Sequence, residues 1–88
     1  MARKLIVSGR VQGVWFRDSC QRKAVGAGVA GWVRNLRDGQ VEIWLEGAEA
    51  AVDEVAAWCR VGPSRAVVTA VEVEERKPEG VSSFRIID

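Results

Sequence analysis

The chain has 88 residues, 48% hydrophobic and 28% charged, with 13 basic against 12 acidic side chains and a net charge of +1. Such a length supports one globular domain, residues 1–88, with a modest core, and the balanced charge offers no attraction to nucleic acid or to a membrane surface. Histidine and tyrosine are absent, which excludes Ser-His and Cys-His nucleophilic schemes and histidine-ligated metals.

No apolar run approaches the roughly 20 residues of a transmembrane helix, and MARKLIVSGR holds too short an apolar stretch for a secretory signal. Cys20 and Cys59 form no CxxC metal pair. The expectation is a soluble cytoplasmic monomer without metal or cofactor, whose chemistry comes from arginine, amides, carboxylates or the backbone.

RKLIVSG, residues 3–9, alternates with β-branched character and predicts a strand ended by Gly9. A loop over 10–16 leads into RDSCQRKAVGA, residues 17–27, a helix with Cys20, Ala24 and Ala27 on one face, continuing from Phe16. Gly28 suits the left-handed position past a helix end. AGWVRN (30–35) and QVEIWLEG (40–47) read as strands joined by the Asp-Gly turn of LRDG. AEAAVDEVAAWCR (48–60) is the clearest helix, with Ala48, Ala51, Val52, Val55, Trp58 and Cys59 along one face. After VGPS, RAVVTAVEVEE (65–75) predicts a long strand with Thr69, Val71 and Val73 on one face, and SFRIID (83–88) a short last one.

The order βαββαβ, plus a terminal strand, predicts an α+β ferredoxin-like sandwich: an antiparallel sheet with two helices on one face and strands one and three central. The fifth strand has no readable position. With the helices taken as parallel, Cys20 opens one and Cys59 ends the other, about 15 Å apart at 1.5 Å per residue. A disulfide needs Cα atoms within about 7 Å, so free thiols are expected.

SGRVQGVWFRD, residues 8–18, poses the functional question. A cation in the first turn of a helix costs about 0.3–1 kcal/mol, so Arg17 is misplaced unless an anion sits beside it. A glycine-containing βα turn aims backbone N–H groups into a concavity at the helix N-terminus, where an anion binds. Gly9 and Gly13 permit the sharp bend and close approach, and a guanidinium matches phosphate oxygens with two parallel bonds. No Lys-Ser/Thr pair follows Gly13, so the nucleotide-binding Walker pattern is missing. The same sequence also suits a merely structural turn.

GRVQGVWFR (9–17) together with GWVRNLRDGQVE (31–42) resembles the acylphosphatase family, and the similarity spans nearly the whole chain. The GAGVAGWV lead-in at 26–33 and the EG at 46–47 fit as well. The resemblance implies a ferredoxin-like fold that hydrolyses the carboxyl-phosphate anhydride of acyl phosphates with no cofactor. By position it makes Arg17 the phosphate-binding arginine and Asn35 the residue that orients the attacking water. The backbone of Gln12, Gly13, Val14, Trp15 and Phe16 becomes the phosphate cradle. Trp15 stands where glycine is frequent in the family, and Arg37 replaces the common turn proline; Trp15 bears on the mouth of the site and the acyl group accepted.

The alternative is a non-catalytic module of the same fold that holds an acyl phosphate or another small anion. RNA binding is the third reading, because Trp44 is expected on the sheet's open face, where RNA-recognition domains of this topology stack bases. Glu42 and Glu46 flank it there, and packing against Trp32 is the expected role instead. Trp58 is expected in the core. Glu72, Glu74, Glu75 and Glu79 read as a solvated edge and not as a metal site.

Overall fold

In the computed structural model, which describes residues 1–88, the chain runs β1 (Ala2–Arg10), α1 (Phe16–Ala27), β2 (Ala30–Asn35), β3 (Val41–Glu46), α2 (Glu49–Cys59), β4 (Val67–Arg76) and β5 (Phe84–Ile86). The sheet order is β4-β1-β3-β2-β5. β1 lies antiparallel between β3 and β4, and β2 antiparallel to β3, which is the ferredoxin-like sandwich with β1 and β3 central. β5 adds what the sequence left open. It lies parallel to β2, pairing Gly31 with Phe84 and Val33 with Ile86, so the sheet is mixed and not wholly antiparallel.

Alternation puts Leu5 and Val7 of β1, Val33 of β2, and Val41, Ile43 and Leu45 of β3 on the helix side of the sheet. There they join Phe16, Cys20 and Ala24 of α1 and Val52, Val55, Ala56 and Cys59 of α2 in one cluster of 17 buried residues. At about 25 cal/mol per Å² of apolar surface buried, this shared cluster is the main stabilising contribution. Gly28 ends α1 as expected, left-handed at φ 74°, with its N–H directed to the Ala24 and Val25 carbonyls. Ala48 is exposed at the start of α2, and Ala56 takes the buried place instead.

Two further expectations fail for definable reasons. α1 follows β1 and α2 follows β3, and these strands are antiparallel, so the helices are antiparallel too. Cys20 and Cys59 therefore meet at one level instead of lying a helix length apart. Both are fully buried and carry free thiols; hydrogen bonding with the Cys59 thiol, reinforced by burial, raises the Cys20 pKa well above its ordinary value.

The second concerns β4. Ser8 pairs with Ala70 but Gly9 with Val68, so Thr69 is the extra residue of a β-bulge. The bulge reverses the alternation, and Val68 packs on the core with Val71 where Thr69 was expected. Gly9 belongs to this feature and not to a ligand: a Cβ there, at φ 120°, would stand 2.1 Å from the Val67 carbonyl oxygen.

On the other face, Trp44 stacks on Trp32 with ring centroids 6.3 Å apart and planes 16° from parallel. The Arg34 guanidinium lies over Trp32 at 5.4 Å and also pairs with Glu42 at 2.6 Å, while Lys4 approaches the same carboxylate at 3.6 Å. Trp44 is 5% exposed, so it offers no free face for a base. Glu72, Glu74, Glu75 and Glu79 are exposed, as expected, with Glu75 paired to Arg3 and Glu74 to Arg76.

Candidate active site

The β1–α1 connection is built around two left-handed residues. Gly13 has φ 73°, and no atom lies within 4 Å of where its Cβ would stand. Trp15, at φ 66° and ψ 23°, occupies the N-cap position of α1 without a side-chain cap bond. For a residue other than glycine that conformation costs about 1 kcal/mol or more. The backbone N–H groups of residues 12 to 15 donate to no carbonyl, and the first helical bond is Ser19 N–H to Trp15 O at 3.1 Å. A row of unpartnered donors thus runs into the positive end of α1, where an anion is stabilised.

A cavity of about 370 Å³ opens here, lined by Gly13, Trp15, Phe16, Arg17 and Asn35 among the expected residues. Arg17, half-buried in the second position of α1, forms no ion pair, unlike Arg3, Arg34 and Arg76. Asn35 ends β2, held opposite Val41 by the sheet register and by the hairpin bond from Leu36 N–H to Gln40 O at 2.8 Å. Its Oδ1 is buried and has no hydrogen-bond partner within the protein. An orphaned buried acceptor of this kind costs about 1–3 kcal/mol, and a bound water or ligand relieves that cost.

Gln12 and Val14 do not line the cavity. The Gln12 side chain donates from Nε2 to the carbonyls of Leu36 and Gln40, both at 2.8 Å, and so ties the connection to the hairpin that carries Asn35. Gln40 returns a bond from its own Nε2 to Ser8 Oγ at 2.7 Å. Val14 is buried, and the Phe16 ring packs on Trp58 at 5.4 Å. Three lining residues escaped the sequence reading: Val11, Asp18 and Ile86. Ile86 was invisible because its strand had no readable neighbour. Nowhere do three or more Cys, Asp or Glu side chains gather as they would around a metal.

Comparison with known proteins decides the family. The family model for acylphosphatase matches residues 3–86. The acylphosphatase of Rubrobacter xylanophilus is 56% identical over 88% of this chain and 70% of that protein. The acylphosphatase of Methylococcus capsulatus is 53% identical over 86% and 83%. The chain belongs to the acylphosphatase family. It is an acylphosphatase in activity, hydrolysing the carboxyl-phosphate anhydride of acyl phosphates to a carboxylate and inorganic phosphate. The crystal structure of acylphosphatase from Bacillus subtilis superimposes with a TM-score of 0.95 at 40% identity, covering 99% of this chain and 98% of that one. No helix is long and apolar enough to cross a membrane.

Proposed function

We propose that Arg17 and the backbone N–H groups of residues 12 to 16 hold the phosphoryl group and that Asn35 orients the attacking water. The buried, unpartnered Oδ1 of Asn35 in the wall of the cavity carries this reading. An amide oxygen accepts a hydrogen bond from water and turns a water lone pair toward phosphorus. Arg17, free of any carboxylate, supplies two parallel N–H bonds to phosphoryl oxygens.

The chemistry needs little more. The leaving carboxylate has an acid pKa near the ordinary side-chain range of about 4, so it departs without a general acid. The water oxygen bonds to phosphorus as the phosphorus–acyl oxygen bond breaks, and the electron pair leaves with the carboxylate. Asparagine cannot take the water proton, which goes to a phosphoryl oxygen or to solvent. Phosphoryl transfer of this loose kind depends mainly on positioning and on stabilising charge at the phosphoryl oxygens. A phosphate ester, whose alkoxide leaves poorly, is outside this machinery. The reading extends to a monomeric, cytoplasmic enzyme formed by residues 1–88 as one domain, without nucleic-acid partners, in keeping with the net charge of +1 and the buried Trp44.

The test is Asn35→Ala. A bond made mainly in the transition state lowers kcat and kcat/KM together and spares ground-state affinity. The variant is expected to lose about 100-fold in kcat while inhibition by inorganic phosphate stays normal. Asn35→Asp is expected to fail as well, because a carboxylate beside the phosphoryl group adds repulsion. Wild-type turnover by folded Asn35→Ala, checked by denaturant melts, would reduce Asn35 to a turn residue.

A further inference from the structure

Trp15 is the only residue other than glycine with a positive φ, and its indole is 70% exposed. The other tryptophans all have partners, Trp32 on Trp44 and Trp58 on Phe16. Trp15 has neither a ring nor a cation against it. The strained backbone opposes folding and the exposed ring contributes almost nothing to it, so its identity is not explained by the folded chain alone.

Its position is informative. Trp15 lines the same cavity as Arg17 and Asn35, and the lining divides evenly: four of its eight residues are apolar, Trp15 and Ile86 among them, and the polar four include the Asp18 carboxylate beside Arg17 and Asn35. An acyl phosphate divides in the same way, into a charged phosphoryl group and an uncharged acyl group. We propose that Trp15 is the platform for the acyl group and sets a preference for acyl phosphates with a planar aromatic or extended apolar acyl group over short ones. A flat indole face covers a phenyl ring in offset-stacked geometry and removes apolar surface of both from water. An acetyl group offers only a methyl. This proposal rests on the assignment of Arg17 and the N–H cradle to phosphate, because that fixes the acyl group toward Trp15.

Steady-state kinetics of wild type, Trp15→Gly and Trp15→Phe with benzoyl phosphate and acetyl phosphate test it, with inorganic phosphate as inhibitor. Glycine adopts φ 66° without strain, so the first variant keeps the loop conformation. The acyl group is bound alike in ground and transition states, so the effect falls on KM. Wild type is expected to favour benzoyl phosphate in KM, and Trp15→Gly to shrink that preference about five- to tenfold, with Trp15→Phe keeping most of it. An unchanged ratio of the two KM values in Trp15→Gly overturns the proposal. So does a loss shared equally by both substrates and by phosphate inhibition, which makes Trp15 part of the cradle. Failure of inorganic phosphate to compete in wild type defeats the phosphate assignment itself, and the platform with it.

Discussion

Residues 12–15 and residues 79–81 solve one electrostatic problem in opposite ways. In the second segment the N–H of Glu79 donates to Glu46 Oε1 at 2.9 Å, and those of Gly80 and Val81 donate to Oε2 at 2.8 and 3.1 Å. The Trp44 indole adds a fourth bond at 3.0 Å. Consecutive N–H groups form a concavity suited to an anion, and here the chain fills it with its own carboxylate. In the first segment the same kind of donor row meets no acceptor within the chain, although it lies at a helix N-terminus that strengthens its pull on negative charge. One nest closes the fold, holding the β4–β5 connection against the end of β3. The other is the one proposed above to hold the phosphoryl group. A satisfied nest stabilises and an unsatisfied one binds, and an internal acceptor is what separates them.

Removing the cation from the open nest tests that contrast most severely. Arg17→Ala is expected to lower kcat/KM on the order of 10³-fold or more, since arginine contacts on a transferring phosphoryl group are worth that much. Phosphate inhibition should weaken with it, unlike in Asn35→Ala. Arg17→Lys is expected to remain poor, because an ammonium cannot supply the paired bonds. Arg17 makes no ion pair, so neither variant should lower the denaturation midpoint appreciably. Near-normal kinetics in folded Arg17→Ala would remove it from the site.

Breaking the closed nest should do the reverse, costing stability before activity. Burial pushes the Glu46 carboxyl up, but the bonds from Glu79, Trp44, Gly80 and Val81 outweigh this and hold its pKa below the ordinary 4.5. A depressed carboxylate pKa gives stability that is complete above the unfolded value and is lost as pH falls through the folded one. Glu46→Gln turns an NH2 toward donors and is expected to cost about 2–3 kcal/mol at neutral pH. Denaturant melts should show the gap between wild type and variant narrowing as pH drops below 4.5. A gap that stays constant with pH would mean the charge of Glu46 contributes nothing.

The sequence carried the strands that alternate and the helix with a clear apolar face, because those signals are local. It also carried Arg17 and Asn35 to one cavity through two motifs. What it could not carry was pairing at a distance. β5 has three residues and no periodicity of its own, so its place beside β2, and with it Ile86 in the cavity, comes only from the folded sheet. The bulge at Thr69 is likewise a property of two strands together. The helix directions were different, since antiparallel β1 and β3 already imply antiparallel helices, and the separation expected for Cys20 and Cys59 rested on the wrong orientation. Glu46 read as a residue flanking Trp44; its bonding to residues 33 to 35 positions further on leaves no trace in local pattern.

Gln12 offers the smallest and finest test. Its side chain does not line the cavity and bonds the Leu36 and Gln40 carbonyls on the hairpin that follows β2. Its backbone N–H belongs to the open nest. A substitution therefore leaves the donor row chemically intact and alters only how firmly it stands relative to Asn35. Gln12→Ala leaves the Leu36 and Gln40 carbonyls with only their backbone bonds, from Gly39 N–H and Leu36 N–H, and is expected to cost about 1 kcal/mol of stability. If nest and water-orienting amide must keep register, kcat falls several-fold, since small misplacements of reacting groups are costly. Phosphate inhibition, which needs only the nest and Arg17, should move less. Gln12→Glu should be worse than alanine in both respects, because it sets a carboxylate against two carbonyl oxygens. Equal losses in kcat and in phosphate affinity would mean that Gln12 shapes the nest itself, and that the open nest, like the closed one, depends on a side chain to hold its form.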